Sequence, residues 1–489
     1  MSLVTPHSSV STTSGADVSS PSRPFRTRTL ATATAVALAA GALPALASAA
    51  SAAPQRAAHE VRADFNGDGY EDLAVGAPYA TVGGKTRAGY VAVLYGSAVG
   101  LSARKVYSQA SAGVPGAVEE GDLFGSRLTT ADLDGDGYTD LLVESGNERW
   151  SQGGIARQGS RTVLWGGSKG VDSGTLLPAE GAGIGQAYRT VAGDFDGDGH
   201  QDLAHNGRVL FGPFGRDGRP ANTQDGADFS DGDLNTVAAA VGDTDGDGVD
   251  DIVTLARTYD PDDEGDYGTY VYYARGGHDG LRAPVRLSDL TGPPADTVAL
   301  GDLDGDHRAD LVVGGAYLRI VHSGPRGLVA GAPQVITQDT PGVPGSQEAG
   351  DEFGRSVSVR DVDGDGCADI VAGIPYEDFG RVRNAGTFAV VPGGRSGATG
   401  AGTKVFSQDS TDVPGTAESG DAFGSTTYLV DGNGDGRAEP VVGAPGEDAG
   451  AGALWVFPGR TTARGSFAVT ARTLGTVATG AGLGAALPD

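Results

Sequence analysis

Short stretches in which apolar and polar residues alternate run through most of this chain. Residues 90–95 (YVAVLY), 126–131 (SRLTTA), 162–165 (TVLW), 270–273 (YVYY) and 356–360 (SVSVR) are examples. A period of two sends successive side chains to opposite faces, which is the pattern of a half-buried β-strand. Other stretches are continuously apolar for two or three residues: Leu73-Ala74-Val75, Leu141-Leu142-Val143, Ile252-Val253, Leu311-Val312-Val313 and Ile370-Val371. These predict strands covered on both faces. Gly and Pro punctuate the pattern, as in Gly96-Ser97 and Gly166-Gly167-Ser168, and no convincing amphipathic helix interrupts it. The prediction is an all-β protein.

The stretches recur in a fixed order. An alternating segment leads into an acidic, glycine-rich nonamer, and an apolar run follows. A second alternating strand comes next, then a glycine turn and a short fourth strand such as residues 106–107. The nonamer reads DFNGDGYED from Asp64, DLDGDGYTD from Asp132, DFDGDGHQD from Asp194 and DTDGDGVDD from Asp243. It continues as DLDGDHRAD from Asp302, DVDGDGCAD from Asp361 and DGNGDGRAE from Asp431. The starts lie on average about 61 residues apart, so the repeats fill residues 61–489. Four strands per repeat and seven repeats predict a seven-bladed β-propeller of four-stranded antiparallel blades, each nonamer joining two strands.

The nonamer is a DxDxDGxxD loop with oxygen-bearing side chains at positions 1, 3, 5 and 9. Two carboxylates about 4 Å apart repel by about 4 kcal/mol at an effective dielectric of about 20. A hard divalent cation reverses that sign, and oxygen-only donors at alternate positions, with the carbonyl of position 7, suit the coordination of Ca²⁺. Glycine at position 6 permits the positive φ that wraps the loop; the fifth copy has His307 there. The loop is not an EF-hand. Its twelfth position, where that motif needs a bidentate Glu, is Val75, Val143, His205, Thr254, Val313, Ala372 or Val442.

Composition follows the same chemistry. The 489 residues carry 63 acidic and 35 basic side chains, a net charge of −28, much of it in the nonamers. Such a surface excludes nucleic acid and anionic membranes as partners. Cys367 is the only cysteine, so no intramolecular disulfide forms. Residues 1–53 read as a signal peptide with an N-terminal extension. Arg23, Arg26 and Arg28 precede an apolar run from Leu30 to Leu46, and small-residue sites at Ala47-Ser48-Ala49 and Ala50-Ser51-Ala52 follow. Gly41 and Pro44 break a run already too short to span a bilayer. The expectation is a secreted, extracellular chain cleaved near residues 49–53, with residues 54–489 forming one monomeric propeller and no membrane span.

Further motifs give this pattern a family resemblance. Phe124-Gly125, Phe353-Gly354 and Phe423-Gly424 precede three nonamers, and Gly76-Ala77-Pro78, Gly443-Ala444-Pro445 and the altered Gly373-Ile374-Pro375 follow three. Three connectors are close copies: SQASAGVPGAVEEGDLFG at 108–125, TQDTPGVPGSQEAGDEFG at 337–354 and SQDSTDVPGTAESGDAFG at 407–424. The chain resembles the FG-GAP repeat family, the propeller of integrin α subunits and of secreted bacterial proteins, over roughly residues 61–489. The resemblance implies Ca²⁺ in the loop between strands one and two, up to seven ions in all, and ligand binding on the opposite face. Carried over position by position, the first ligands are Asp64, Asp132, Asp194, Asp243, Asp302, Asp361 and Asp431. The third are Asn66, Asp134, Asp196, Asp245, Asp304, Asp363 and Asn433; the fifth are Asp68, Asp136, Asp198, Asp247, Asp306, Asp365 and Asp435. Carbonyls come from Tyr70, Tyr138, His200, Val249, Arg308, Cys367 and Arg437, and the ninth positions are Asp72, Asp140, Asp202, Asp251, Asp310, Asp369 and Glu439. The C-terminal Gly482-Leu483-Gly484 resembles a decayed connector, so the chain end is expected to complete blade one.

Connections between the second and third strands are very unequal, and the long ones hold the candidate ligand-binding residues. These are Tyr79 and Arg87 in blade one, Arg149 and Trp150 in the loop 144–160 of blade two, Tyr259 and Tyr267 in blade four, and Tyr376 and Phe379 in blade six. Trp, Tyr and Arg are the side chains that most often dominate binding energy. Catalytic patterns are thin. Gly166-Gly-Ser-Lys-Gly170 fits G-x-S-x-G but stands at a hairpin turn with no helix after it, and the histidines show no metal-ligand spacing. The reading is a non-enzymatic, integrin-like recognition or adhesion module for an extracellular protein or glycan; the alternative is a secreted hydrolase or lyase with a site on a propeller face.

Overall fold

The computed structural model describes residues 63–488, apart from 153–154, 179–188, 206, 227–233, 259–268, 288–289, 291–294 and 330. The expected signal peptide lies outside these residues, as do Tyr259 and Tyr267, and only the backbone of Trp150 is described.

The chain forms seven antiparallel sheets in which neighbours in sequence are neighbours in space. Blade two shows the plan, with an inner strand Phe124–Ala131, a second Asp140–Gln152, a third Ile155–Trp165 and an outer Ser173–Leu176. Blades three to seven repeat it from inner strands Thr190–Gly193, Leu234–Gly242, Ala295–Gly301, Val357–Arg360 and Thr426–Val430. The molecule is a seven-bladed β-propeller. Among the described residues, α-helix is confined to two four-residue turns, Glu447–Gly450 and Ala471–Leu474.

Blade one supplies three strands, Leu73–Ala77, Tyr90–Tyr95 and Ala103–Tyr107. The C-terminal segment lies along the edge of Leu73–Ala77, where the other blades hold an inner strand. Gly76 N–H donates to the Ala486 carbonyl at 2.8 Å, and Gly484 N–H donates to the Gly76 carbonyl at 3.2 Å.

Apolar residues gather where blades meet, in seven clusters among the described residues. Phe65, Val91 and Val93 of blade one pack on Phe124, Leu141 and Leu164 of blade two. Leu73 and Val75 pack on Val441 and Leu454 of blade seven together with Leu483 and Leu487, so the ring is continuous. Removing such side chains from water is the main stabilising term, about 25 cal/mol per Å² of apolar surface.

The paired glycine motifs have a steric cause at these boundaries. A Cβ on Gly76 would lie 2.2 Å from the Gly125 carbonyl oxygen, and one on Gly373 would lie 1.9 Å from that of Gly424. Backbone thus meets backbone between one blade's second strand and the next blade's inner strand, at a distance no side chain permits. Gly314 meets the Gly354 carbonyl in the same way, so blade five keeps the contact although its tripeptide has changed. Gly443 meets the Gly484 carbonyl, which puts the C-terminal segment in the role of a connector.

Candidate cation loops and the opposite face

Each nonamer is the hairpin between an inner strand and the second strand, as Ala131 and Asp140 pair across it in blade two. Position 9 opens the second strand and is buried in all seven blades. Asp140 Oδ2 accepts the Leu133 N–H at 2.9 Å and Oδ1 accepts the Gly166 N–H at 2.8 Å. Asp72, Asp202 and Asp369 make the same pair of bonds. Position 1 organises the turn. Asp132 Oδ1 accepts from Gly135 at 2.9 Å and Asp136 at 3.1 Å, while Oδ2 accepts from Gly137 at 2.9 Å. His307, in the place of that last glycine, adopts φ 68° and bonds Asp302 Oδ2 at 2.8 Å. The turn geometry therefore overrides the side chain's preference.

The donor set fits a hard cation. In loops two to five, one oxygen from each of three ligand positions comes within 4.8 Å of the others, as in Asp194, Asp196 and Asp202. Oxygens on opposite sides of one Ca²⁺ at about 2.4 Å have that separation. Burial pushes the carboxyls of Asp72, Asp140 and Asp202 up to about 7, against two backbone N–H bonds that favour the charged form. Asp369 rises to about 6 for the same reason. Such groups hold their charge at low cost only beside a positive one. Asp134 Oδ1 is buried with no hydrogen-bond partner, an acceptor that a cation would satisfy.

Arginines and a histidine join the loops, most of them from outside the loop they meet. Arg216, from the last hairpin of blade three, reaches Asp134 Oδ2 at 2.5 Å and Asp136 at 2.6 Å, and lies 5.2 Å from the Trp165 ring centroid. Arg275 pairs with Asp245, and Arg308 with Asp306. Loop seven differs most. Arg460 bonds Asp435 at 2.7 Å and Glu439 at 2.8 Å, and Asn433 Nδ2 donates to Glu439 at 2.7 Å. The histidine is His322, which the sequence analysis set aside. Its Nδ1 stands 3.1 Å from Asp310 Oδ2, and with Asp304 these groups form a further oxygen–nitrogen cluster. No spacing rule finds it, because a hairpin rather than a local turn brings it to the loop.

On the opposite face one expectation is corrected. Residues 144–160 of blade two are not an open loop: Asp140–Gln152 and Ile155–Trp165 continue as a long hairpin, with Arg149 opposite Gln158 and a register break after Ser145. The strands extend past the core through a stretch that is mostly polar. Tyr79 is 45% exposed, with the Arg87 guanidinium 5.5 Å from its ring centroid. Tyr376 and Phe379 are half-buried, and Phe379 N–H closes a tight turn on the Val382 carbonyl at 2.9 Å. The Arg383 guanidinium caps that turn through Asp378 at 2.5 Å.

Residues 61–94, 124–164 and 353–391 match the FG-GAP repeat, so the chain carries FG-GAP repeats in blades one, two and six. The chain is 32% identical over 156 residues to phosphatidylinositol-glycan-specific phospholipase D of Rattus norvegicus, covering 31% of this chain and 18% of that protein. It is 31% identical over 160 residues to the Mus musculus protein of the same name, covering 32% and 18%. The chain thus spans less than a fifth of these relatives. Among solved structures it is similar to the Dos1 propeller, with a TM-score of 0.38 and 9% identity over 72% of this chain and 69% of that one. Among the described residues, no helix is long and apolar enough to cross a membrane.

Proposed function

We propose that this chain is a secreted, Ca²⁺-stabilised recognition module that binds an extracellular protein or glycan on the face opposite its acidic loops. The observation that carries the reading is the contrast between the two faces. One presents seven copies of a single oxygen-rich turn, each with a buried carboxylate at its base. The other carries connections that differ from blade to blade, from blade three, where His205 pairs directly with Arg208, to the long hairpin of blade two. Uniform loops suit a common structural ion; unequal walls suit selective contact.

In loops one to six the ion would be held by the side chains at positions 1, 3, 5 and 9, and it would supply the positive charge their burial calls for. Loop seven supports an ion least, because Arg460 and Asn433 already answer its carboxylates. A ligand that binds only the folded state stabilises it by about 2.7 kcal/mol at a hundred times its Kd. Melting the mature protein with Ca²⁺ and with EDTA, alongside elemental analysis, tests this. An unchanged Tm with no bound calcium refutes it. Recognition is tested by glycan and protein arrays with and without Ca²⁺, followed by Trp150→Ala and Tyr376→Ala. If both variants bind as the parent does, while a loop-face change abolishes binding in a folded protein, the face is wrong.

The relatives are named as an enzyme, phosphatidylinositol-glycan-specific phospholipase D, which favours a second reading as a hydrolase or lyase. The match covers 18% of their length, so the activity does not transfer with it. Turnover of a polysaccharide and ester panel by the purified protein would replace the first reading.

A further inference from the structure

The inner strands surround a cavity of about 1190 Å³. Every inner strand runs toward its acidic loop, so residues at its start line the far mouth and residues at its end line the near one. The near mouth carries Asp132, Asp243, Asp250 and Asp302, with His307 and Arg308 beside them. The far mouth carries Arg127, Arg189, Arg257 and Arg355, from blades two, three, four and six, and one carboxylate, Asp296. Arg257 reaches it because the second strand Asp251–Thr258 runs the opposite way. Glu144 and Glu352 stand behind Arg127 and Arg355, each at 3.5 Å, so four guanidinium groups meet three carboxylates, a small positive excess in a chain of net charge −28.

The guanidinium groups are fixed in place by bonds that cross the blade boundaries. Asp296 of blade five takes both Arg257 and, at 2.6 Å, Arg355. Arg189 Nε donates to the Val237 carbonyl at 2.8 Å. Arg127 stands 3.5 Å from Glu144, a buried carboxylate that also accepts the Thr190 hydroxyl at 2.7 Å. The side chains of Arg127, Arg257 and Arg355 remain 28%, 32% and 40% exposed, and Arg257 Nε is buried with no hydrogen-bond partner. Charges of one sign in a cleft focus the field and concentrate counter-ions. Guanidinium pairs oxyanions through parallel N–H bonds. Beside them the wall is hydroxylic, with Ser126, Ser356, Ser425 and Thr426. Ser126, Ser425 and Thr426 donate to backbone carbonyls, which leaves their oxygens to accept from a ligand, and Ser356 shares a bond with Thr427.

We propose that the far mouth of the channel binds an acidic saccharide, the arginines taking the carboxylate of a uronic acid residue and the serine and threonine hydroxyls its ring hydroxyls. The proposal rests on the reading that this face is the recognition face. A hydroxyl-lined cleft without a large apolar pocket favours a sugar over an acidic peptide, whose side chain would share the carboxylate but not the ring hydroxyls.

The test is calorimetric titration of the full mature chain, with Ca²⁺ present, using three probes. These are a tetramer of β-1,4-linked glucuronate, cellotetraose, which has the same backbone with each carboxylate replaced by CH₂OH, and tetraglutamate. The glucuronate tetramer should bind, weaken with added salt, and exceed both other probes in affinity. Arg189→Gln and Arg355→Gln should each weaken it about tenfold, the loss of one charge-assisted contact, with Tm near the parent value as the control for folding. Glucuronate binding no better than cellotetraose overturns the proposal, as does binding that both variants leave unchanged. Tighter binding of tetraglutamate overturns the assignment to a saccharide. If an array ligand is lost in Trp150→Ala and Tyr376→Ala but kept in the arginine variants, the recognition face stands and the arginine mouth falls. If only loop-face changes abolish binding, both fall.

Discussion

Replacing Glu71 with Ala tests the closure of the ring. Glu71 belongs to the acidic loop of blade one and is 4% exposed. It receives both arms of Arg360, from the inner strand of blade six, at 2.6 Å and 2.6 Å. Its Oε2 also accepts the Asp431 N–H of blade seven at 2.8 Å. Burial disfavours charge on Arg360, and the bonds to Glu71 more than restore it, so its pKa lies above the ordinary value. Glu71→Ala strands a guanidinium that is only 10% exposed and leaves a backbone donor unpaired. The cost of breaking such a pair is about 3–5 kcal/mol. Arg360→Met should cost a similar amount by leaving the carboxylate buried alone. The double variant should cost less than the two losses added together, because no uncompensated charge remains. Urea unfolding at pH 7 and fixed Ca²⁺ measures all three. A loss below about 1 kcal/mol for Glu71→Ala, the range of a solvent-screened pair, would refute the argument, as would strictly additive single losses.

Three further outcomes follow from local geometry. His307→Gly should raise stability by about 0.5–1 kcal/mol in urea, since glycine takes the φ of 68° without the cost a side chain incurs; a loss would mean that the histidine ring contributes contacts outweighing its strain. Gly76→Ala should destabilise by about 2–3 kcal/mol, because its Cβ meets the backbone oxygen of Gly125 at 2.2 Å, which cannot move aside as a side chain could; an unchanged urea midpoint refutes this. Glu447 is pushed up to about 7, chiefly by burial, against a bond from Gln408 Nε2 at 2.6 Å. Its folded pKa exceeds the ordinary 4.5, so its contribution to stability is full below about 4.5 and is lost as pH rises through 7. Glu447→Gln should flatten that slope between pH 4.5 and 7, and parallel pH profiles of variant and parent would refute the assignment.

Repetition made the architecture legible before any coordinates. Seven nonamers set the blade count, and the period-two stretches on either side set the strands. The ninth carboxylate, which the apolar run follows directly, is buried at the base of the loop. What escaped notice depends on contacts between distant positions. Arg216 lies 80 residues from Asp136, and Arg360 lies 289 from Glu71. A lone arginine has no pattern to betray its partner. Blade five carries Gly314-Gly315-Ala316 in place of the Gly-Ala-Pro tripeptide. Only one glycine of that motif is required by the backbone contact, and Gly314 supplies it. The hairpin of blade two was taken for a loop because residues 144–160 are mostly polar, and polarity in a strand that extends beyond the core looks the same in sequence as polarity in a turn.

The acidic loops are joined to one another as well as to their own blades. Position 8 of one loop donates its N–H to the position 1 carbonyl of the loop before it: Thr139 to Asp64 at 2.9 Å, Asp250 to Asp194 at 2.9 Å, Ala309 to Asp243 at 2.8 Å, Ala368 to Asp302 at 2.7 Å and Ala438 to Asp361 at 2.9 Å. Position 1 is also the residue whose carboxylate gathers the N–H groups of its own turn, so an ion that orders one loop also fixes the acceptor on which the next loop hangs. A side-chain link runs the other way at three boundaries: the position 8 side chains of Thr139, Asp250 and Glu71 accept the position 1 N–H groups of Asp64, Asp194 and Asp431 at 2.9, 2.9 and 2.8 Å. A carboxylate can accept from Asp431 and from Arg360 at once, which a backbone N–H cannot do. The Glu71 carboxylate therefore ties blades one, six and seven together, as Asp296 ties blades four, five and six. If the loops hold Ca²⁺ as proposed, that arrangement predicts coupling around the ring: Glu71→Ala should lower the affinity of loop one before it affects loop four, and equal losses at both in calorimetric titration would refute it.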